Sequence, residues 1–332
     1  MTVDDSLRGR SVLVTGAGGF IGSHLSEALV EAGAEVRALV RYNSRGSIGW
    51  LEDSSMADAM EIIRGDLLDP DMTVRCVEGT DLVFHLGALI AIPFSYEAPR
   101  LYTDVNVGGT LNLLRACVKT GVARFIHTST SEVYGSAQYV PIDEGHPLVG
   151  QSPYSASKIA AEKMVESHQL SFELPTVIVR PFNTFGPRQS LRAIVPTIVT
   201  QVLTRGVVQL GSLDPTRDLN YVSDTVRGFL RAASAPAAVG GVFNLGRGEE
   251  ISIGDLARLV TQILGTDVPI QVDPQRLRPA ASEVHRLCAD SSAASEMLDW
   301  RPHHTFAEGL ELTIDWLRQN HSELGSAKEY VV

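Results

Sequence analysis

Apolar residues change their spacing regularly along this chain. Short β-type runs such as Val12-Leu13-Val14 alternate with stretches in which apolar residues return every three or four positions. The pattern predicts strands near 12–14, 35–40, 60–63, 81–86, 124–127 and 176–179, and helices over about 20–32 and 102–119 and after Pro153. Strict alternation of this kind predicts the α/β class with a doubly wound parallel sheet. Beyond Arg180 the alternation loosens. Helices are expected near 196–204, 224–233, 252–264 and 306–318, with short strands at 207–210, 242–245 and 270–272, as in a smaller C-terminal lobe.

The first strand runs into Thr15-Gly16-Ala17-Gly18-Gly19-Phe20-Ile21-Gly22, where a helical period begins. Gly16 suits the tight turn, Gly18 and Gly19 let backbone N–H groups approach a pyrophosphate, and Gly22 lets the helix pack closely on the sheet. With strand and helix both in place, this is the first turn of a dinucleotide-binding unit, a Rossmann fold. That domain is expected over 1–182, rejoined by about 221–248, with a substrate-binding lobe over 183–220 and 249–320 and a fraying tail at 321–332. The second strand ends in Val40-Arg41-Tyr42-Asn43-Ser44-Arg45, where NAD-binding versions carry an acidic ribose clamp. Arg41 and Arg45 favour a 2′-phosphate, hence NADP over NAD, or else are two exposed loop arginines. Asp66 could accept from an adenine amino group or simply make a turn, and Gly87-Ala88 would let a cofactor approach.

Of the 332 residues 44% are hydrophobic, and the net charge is −11, which argues against nucleic acid or an anionic membrane as partner. No apolar run approaches the roughly 20 residues of a membrane span, and MTVDDSLRGR has no signal-peptide core, so a cytoplasmic location is expected. Cys76, Cys117 and Cys288 read as reduced packing residues, and His303-His304 as a surface turn rather than a metal site.

Chemistry concentrates at two places. Thr128-Ser129-Thr130-Ser131-Glu132 follows the fifth strand, where ligands of open α/β sheets bind, unless it is an ordinary strand-end turn. In Ser152-Pro153-Tyr154-Ser155-Ala156-Ser157-Lys158, Ser152 suits an N-cap and Pro153 the first helical position, so Tyr154 and Lys158 share one helical face. An ammonium beside a phenol lowers its pKa from about 10 and makes tyrosine a general base. Arg188, Arg217, Arg276 and Arg278 stand in loop-like sequence; two or three converging would bind a second diphosphate, and otherwise they are surface ion-pair partners. Asn106, inside the 102–119 helix, either distorts it or is exposed.

The segments VTGAGGFIG, GDLLD, HLGA, STSEVYG, YSASK, RPFNTFGPR and RDLNYVSD, in this order, resemble the extended short-chain dehydrogenase/reductase family of nucleotide-sugar epimerases and dehydratases. Within it, RYNSRGSIGWL, ALIAIPFSY, HTSTSEVYG and LRPAASEV are similar to nucleotide-activated N-acetylglucosamine 4,6-dehydratases of the legionaminic-acid pathway type. The resemblance implies strand order 3-2-1-4-5-6, a lobe closing over a nucleoside-diphosphate sugar, and a homodimer through the helices bearing Tyr154 and residues 102–119. It implies cofactor contacts at Gly16, Gly18, Gly19, Phe20, Ile21, Gly22, Arg41, Asn43, Ser44, Arg45, Asp66, Leu67, Leu86, Gly87, Ala88, Thr128, Tyr154, Lys158 and Pro181. Substrate contacts are implied at Ile90, Ser95, Thr130, Asn183, Arg188, Val195, Arg217 and Arg278.

Carried over, Thr130, Tyr154 and Lys158 work at the sugar C4 hydroxyl and Glu132 near C5 and C6. A transient 4-keto sugar then loses the C5 proton to Glu132 and water from C6, with the nicotinamide cofactor recycled in each turnover. Glucose-type 4,6-dehydratases carry Asp-Glu after the threonine, the Asp being the acid for the C6 hydroxyl. This chain has Ser131-Glu132, which also resembles nucleotide-glucuronate decarboxylases. Either Glu132 handles both protons, which requires burial to raise a pKa of about 4.3, or Ser131 orients a helping water. The segment from Ala88 to Tyr96 holds no Lys or Arg for a substrate carboxylate, which favours a neutral hexosamine unless an arginine of the lobe supplies the charge. The alternatives are a 4-epimerase, a decarboxylase and a non-catalytic cofactor-binding regulator.

Overall fold

The computed structural model describes residues 6–320, so the tail expected to fray lies outside the described residues. Seven parallel strands form the central sheet: β1 (Ser11–Thr15), β2 (Glu35–Arg41), β3 (Met60–Gly65), β4 (Leu82–His85), β5 (Arg124–Thr128), β6 (Thr176–Pro181) and β7 (Val242–Leu245). Their spatial order is β3-β2-β1-β4-β5-β6-β7, the expected six-strand order with one strand added beside β6. Helices cover both faces, which is why β1 and β6 read as continuous apolar runs rather than alternating ones.

On one face Val12, Val14, Phe84, Ile126 and Val179 pack with Leu25 and Leu29 of α1 (Phe20–Glu31) and with Phe229 further along the chain. On the other, Leu13, Val83, Phe125 and Ile178 meet Val77 of α2 (Pro70–Val77), together with Leu113, Leu114 and Val165. The expected 102–119 helix is a composite. After α3 (Ile92–Glu97), α4 (Pro99–Tyr102) runs through a π-helical turn, Thr103–Gly108, into α5 (Gly109–Thr120). The widened turn carries Asn106 inward, 1% exposed, so this residue distorts the helix rather than facing solvent.

Next comes α6 (Pro153–Phe172), whose Val165 joins the second face. A second core, with Phe185, Ile198, Val199, Leu210, Leu256, Val260, Leu310 and Ile314, draws on α7 (Ile194–Thr204), α9 (Ile253–Ile263) and α11 (Phe306–Asn320). Between them in the chain, α8 (Val222–Ser234) contributes Phe229 and α10 (Ser292–Leu298) contributes Leu298 to the first face. Three small strand pairs stiffen this region, among them Asn183–Phe185 with Leu219–Tyr221 and Thr216–Arg217 with Ile251–Ser252. Cys76, Cys117 and Cys288 are buried and unpaired, as packing residues, and burial raises the Cys288 thiol to about 11. No helix among the described residues is long and apolar enough to cross a membrane.

Candidate active site

The glycine turn leads β1 into α1. Gly16 has φ +70°, and a Cβ there would lie 2.9 Å from the Gly87 backbone; one on Gly22 would lie 2.1 Å from the Gly16 carbonyl. The tight turn at Gly16 is as the sequence predicts, and the turn is pressed against the end of β4 as well. Gly18 also admits a second loop: a Cβ there would meet the Ile48 carbonyl at 2.3 Å, and Trp50 N–H donates to Gly18 O at 3.0 Å, so the loop after β2 docks on the turn. The first intrahelical bond of α1 is Ser23 to Gly19, 2.9 Å, with no side-chain cap and no acid in the first turn. The N–H groups of Phe20, Ile21 and Gly22 thus precede the ladder and form an anion site at the positive end of the helix. The Thr128 Oγ1, at the end of β5, is buried without a partner. These features fit a dinucleotide.

Arg41, Ser44 and Arg45 are exposed, and neither arginine has a carboxylate partner among the described residues. Asn43 instead organises the loop: its Oδ1 accepts from Arg45 N–H and Ser47 N–H, both at 3.1 Å, and its Nδ2 donates to Ser47 O at 2.8 Å. Asp66 caps the Leu68 N–H at 3.0 Å, and Leu67 packs on Gly87 and Gly109. Leu86 and Ala88 are partly buried beside Gly87, and Pro181 closes β6 inside the sheet.

A reciprocal capping box starts α6: Ser152 Oγ accepts from Ser155 N–H at 3.1 Å and Ser155 Oγ from Ser152 N–H at 3.0 Å. It fixes the phase that puts Tyr154 and Lys158, 7% and 4% exposed, on one inward face. Thr130 hydrogen-bonds the Tyr154 phenol, and Lys158 Nζ donates to Thr128 O at 2.6 Å. Here the expectation of a lowered phenol needs correcting. Burial pushes Tyr154 up, the Thr130 hydrogen bond pulls it back, and Glu132 and Tyr102 raise it further. Burial also lowers Lys158, to about 8, against the opposing pull of Glu162. Glu132 is half-buried, whereas Ser131 is 3% exposed.

Several participants carried no sequence signal beyond a polar residue in an apolar pattern. Gly87 N–H donates to Thr15 Oγ1 (3.0 Å), which bonds His85 Nδ1 (2.8 Å); His85 Nε2 bonds Thr110 Oγ1 (2.9 Å), which donates to Asn106 O (2.5 Å). The two ends set the direction, so neutral His85 carries its proton on Nε2, and burial holds its pKa at about 3. Asn106 Nδ2 then donates to Leu89 O (3.0 Å) and to Ser157 Oγ (2.9 Å), and Ser157 donates to Tyr154 O (2.7 Å). A directed polar chain thereby joins the strand end beside the glycine turn to the Tyr154 helix. Behind Lys158, Glu162 accepts from Ser129 and forms a two-pronged pair with Arg180 at 2.9 and 2.6 Å; Arg180 also donates to Tyr134 at 2.8 Å. Burial disfavours the Arg180 cation, but Glu162 outweighs it and raises the pKa.

Arg217 and Arg278 converge on Glu283, at 3.6 and 3.7 Å. Arg217 is 6% exposed; burial lowers its pKa while Glu132 and Glu283 raise it, so it lies within electrostatic reach of the candidate acid. Next to it, Asp218 anchors the strand by accepting N–H bonds from Arg247, Gly248 and Ala289 at 2.8, 2.9 and 3.0 Å. The Oδ1 of Asn183 is buried without a partner. Three residues expected to contact substrate are engaged elsewhere in the structure. Arg188 does not join the pair but binds Glu27 of α1 through two bonds, 2.8 and 3.0 Å, because the chain turns back there onto the cofactor helix. Ser95 is fully buried and donates to Ile92 O at 2.6 Å within its own helix. Val195 is fully buried in the second core, because its position in α7 faces inward. Arg276, expected among the converging arginines, instead pairs with Asp273 at 3.2 Å. Finally, Ile90, 68% exposed, lines a cavity of about 380 Å3 that also holds Tyr102 and Arg192. The 88–96 segment thus faces a cation from outside it, the alternative the sequence left open.

A glycine turn that fits a dinucleotide, a Thr/Tyr/Lys set and two arginines sharing Glu283 are the features of a cofactor-dependent enzyme. Residues 13–313 match the family model described as GDP-mannose 4,6 dehydratase. The chain is 34% identical to a UDP-glucose 4-epimerase of Mycolicibacterium smegmatis, over 92% of this chain and 98% of that protein. It is also 34% identical to a dTDP-glucose 4,6-dehydratase of Streptomyces antibioticus, over 93% of each. The crystal structure of DesIV, a dTDP-glucose 4,6-dehydratase from Streptomyces venezuelae with NAD bound, superposes with TM-score 0.87 at 29% identity, covering 95% of this chain and 100% of that one. The chain belongs to the extended short-chain dehydrogenase/reductase family of nucleotide-sugar dehydratases and epimerases.

Proposed function

We propose that the protein is a nucleotide-sugar 4,6-dehydratase that converts a nucleoside-diphosphate N-acetylhexosamine, UDP- or GDP-N-acetylglucosamine, to the 4-keto-6-deoxy sugar. The observation that carries the reading is the placement of Glu132 beside the Thr130–Tyr154 pair: Glu132 N–H donates to Thr130 Oγ1 at 3.2 Å, and the carboxylate's charge reaches the buried phenol. A 4-epimerase needs the tyrosine and threonine but has no use for an acid-base group near C5. Cofactor is held by the glycine turn, Thr128 and Lys158, with Arg41 and Arg45 favouring NADP over NAD. When bound, it supplies reversible oxidation at the sugar C4.

The chain's own residues do the rest. Tyr154 accepts the O4 proton with Thr130 stabilising the phenolate, and Lys158, anchored on Thr128 O, supplies a positive charge on the same helical face. The 4-keto group acidifies C5–H, and Glu132 takes that proton. Glu132 also returns a proton to the C6 hydroxyl as it leaves as water. Arg217, Arg278 and Asn183 hold the nucleoside diphosphate. We also read the protein as a cytoplasmic homodimer pairing through α5 and α6, a reading supported by exposed Val118, Leu170 and Phe172 on those helices.

The second reading is a 4-epimerase, since a relative of that name is as similar as the dehydratase. Glu132→Gln separates the two. In a dehydratase this variant forms the 4-keto species and stalls before water loss; undiminished turnover would remove Glu132 from the mechanism.

A further inference from the structure

The cavity lined by residues 88–91, Phe94, Tyr102 and Arg192 has apolar side chains apart from one cation and Tyr102, whose hydroxyl donates to Ala91 O. Arg192 is exposed, no carboxylate among the described residues pairs with it, and its charge reaches the Tyr102 phenol. Helix stability does not explain it. Arg192 immediately precedes Ala193, the N-cap of α7, whose first turn has no acidic residue, and a cation there opposes the helix dipole.

Its base is nevertheless firm. Leu191 and Ile194 pack on the second core, Ala193 N–H donates to Ser190 O at 2.8 Å, and Thr197 Oγ1 donates to Leu191 O at 2.8 Å. The cavity also adjoins the reaction centre, because the Tyr102 ring lies edge-on to Tyr154 with centroids 6.3 Å apart. A sugar with its C4 hydroxyl at Tyr154 would thus have this cavity within reach of its C2 or C6 substituent.

We propose that Arg192 determines substrate specificity by donating to a carbonyl or carboxylate oxygen on the hexose, either an N-acyl oxygen at C2 or a carboxylate at C6. The proposal rests on the nucleotide-sugar reading of this site but not on dehydration itself. Under the dehydratase reading the N-acyl group is the source, because a C6 carboxylate has no hydroxyl to lose. A guanidinium gains more from a carbonyl or carboxylate oxygen than from a hydroxyl, and a glucose-type sugar offers it only hydroxyls.

Calorimetric binding to cofactor-loaded protein, comparing wild type, Arg192→Ala and Arg192→Lys, tests this role. The probes are the N-acetylglucosamine, glucuronate and glucose conjugates of UDP and GDP, and the bare nucleotides. Arg192→Ala is expected to lose about tenfold or more in affinity for the N-acetylglucosamine or the glucuronate conjugate and to change little for the glucose conjugate and bare nucleotide, with Arg192→Lys falling between. Which conjugate suffers identifies the oxygen. An equal loss for all sugars, no loss for any, or wild type binding glucose conjugates as tightly as both others overturns the proposal. Binding is read without turnover, so failure to dehydrate any sugar would sink the functional reading while leaving the judgement on Arg192 intact.

Discussion

Lys158 shows how function and stability oppose each other at a single residue. Its ammonium is 4% exposed and meets one carbonyl, and burial depresses its pKa from 10.5 to about 8. Since the unfolded chain binds more protons between those values, this group's contribution to stability is greatest above 10.5 and is lost as pH falls through about 8. Lys158→Met should therefore stabilise the protein at pH 7 by on the order of 3 kcal/mol, flatten its stability profile over that pH range in urea titrations, and abolish turnover. An unchanged or lower urea midpoint would contradict that. Tyr154→Phe should fold and bind nucleotide sugar while producing no reduced cofactor in a single turnover. Arg41→Asp should reverse a preference for NADP, measured as paired dissociation constants; equal affinities in wild type would contradict the reading of Arg41 and Arg45. At this scale the sequence was legible wherever side-chain chemistry depended on local spacing, as with Tyr154 and Lys158 on one helical face. It failed where a contact joined distant segments. Nothing in FGPRQ reveals that Arg188 meets Glu27, and Ser95 and Val195 are hidden by packing that a motif does not encode.

Among the elements, the π turn before α5 is the one whose irregularity has the clearest structural consequence. A regular helix would not direct Asn106 into the sheet edge, where it makes three bonds that tie the strand-end loop to the Tyr154 helix. Asn106→Ala leaves Leu89 N–H, Leu89 O and Ser157 Oγ without this partner, so it should cost about 2–4 kcal/mol and lower kcat more than it raises KM. A variant with wild-type urea midpoint and kcat would show the turn to be ornamental. Strand periods predicted the central strands to within a few residues, because burial on both faces of a parallel sheet writes long apolar runs into the sequence, whereas the short helix α2 was not read. The π turn escaped because Val105, Leu113 and Leu114 keep an ordinary helical spacing across it.

At the scale of the whole molecule, two cores supply opposite walls of one cleft, and a buried ion pair braces the wall that holds the catalytic set. Glu162 and Arg180 are 0% and 3% exposed and tie α6 to β6 behind Lys158. Arg180→Met should cost about 3–5 kcal/mol by leaving Glu162 unpaired, whereas the Arg180→Met/Glu162→Leu double variant should lose less than the sum of the singles in chemical denaturation. Additive losses would mean the two charges are not coupled. Ser282 donates to Gln151 O at 2.7 Å and bonds Tyr96 at 2.6 Å, so the segment bearing Glu283 is tied to α3 and to the start of the Tyr154 helix. This tie was not legible, since the segments that meet are far apart in the chain. Dehydration at this cleft is the central claim, and mass spectrometry of the wild-type product from UDP- and GDP-N-acetylglucosamine in heavy water tests it most directly. The expected product is a sugar that has lost one water, about 18 Da before isotope uptake, with deuterium at C5 and no net change in cofactor oxidation state. Interconversion of C4 epimers without loss of water and without deuterium at C5 would contradict it.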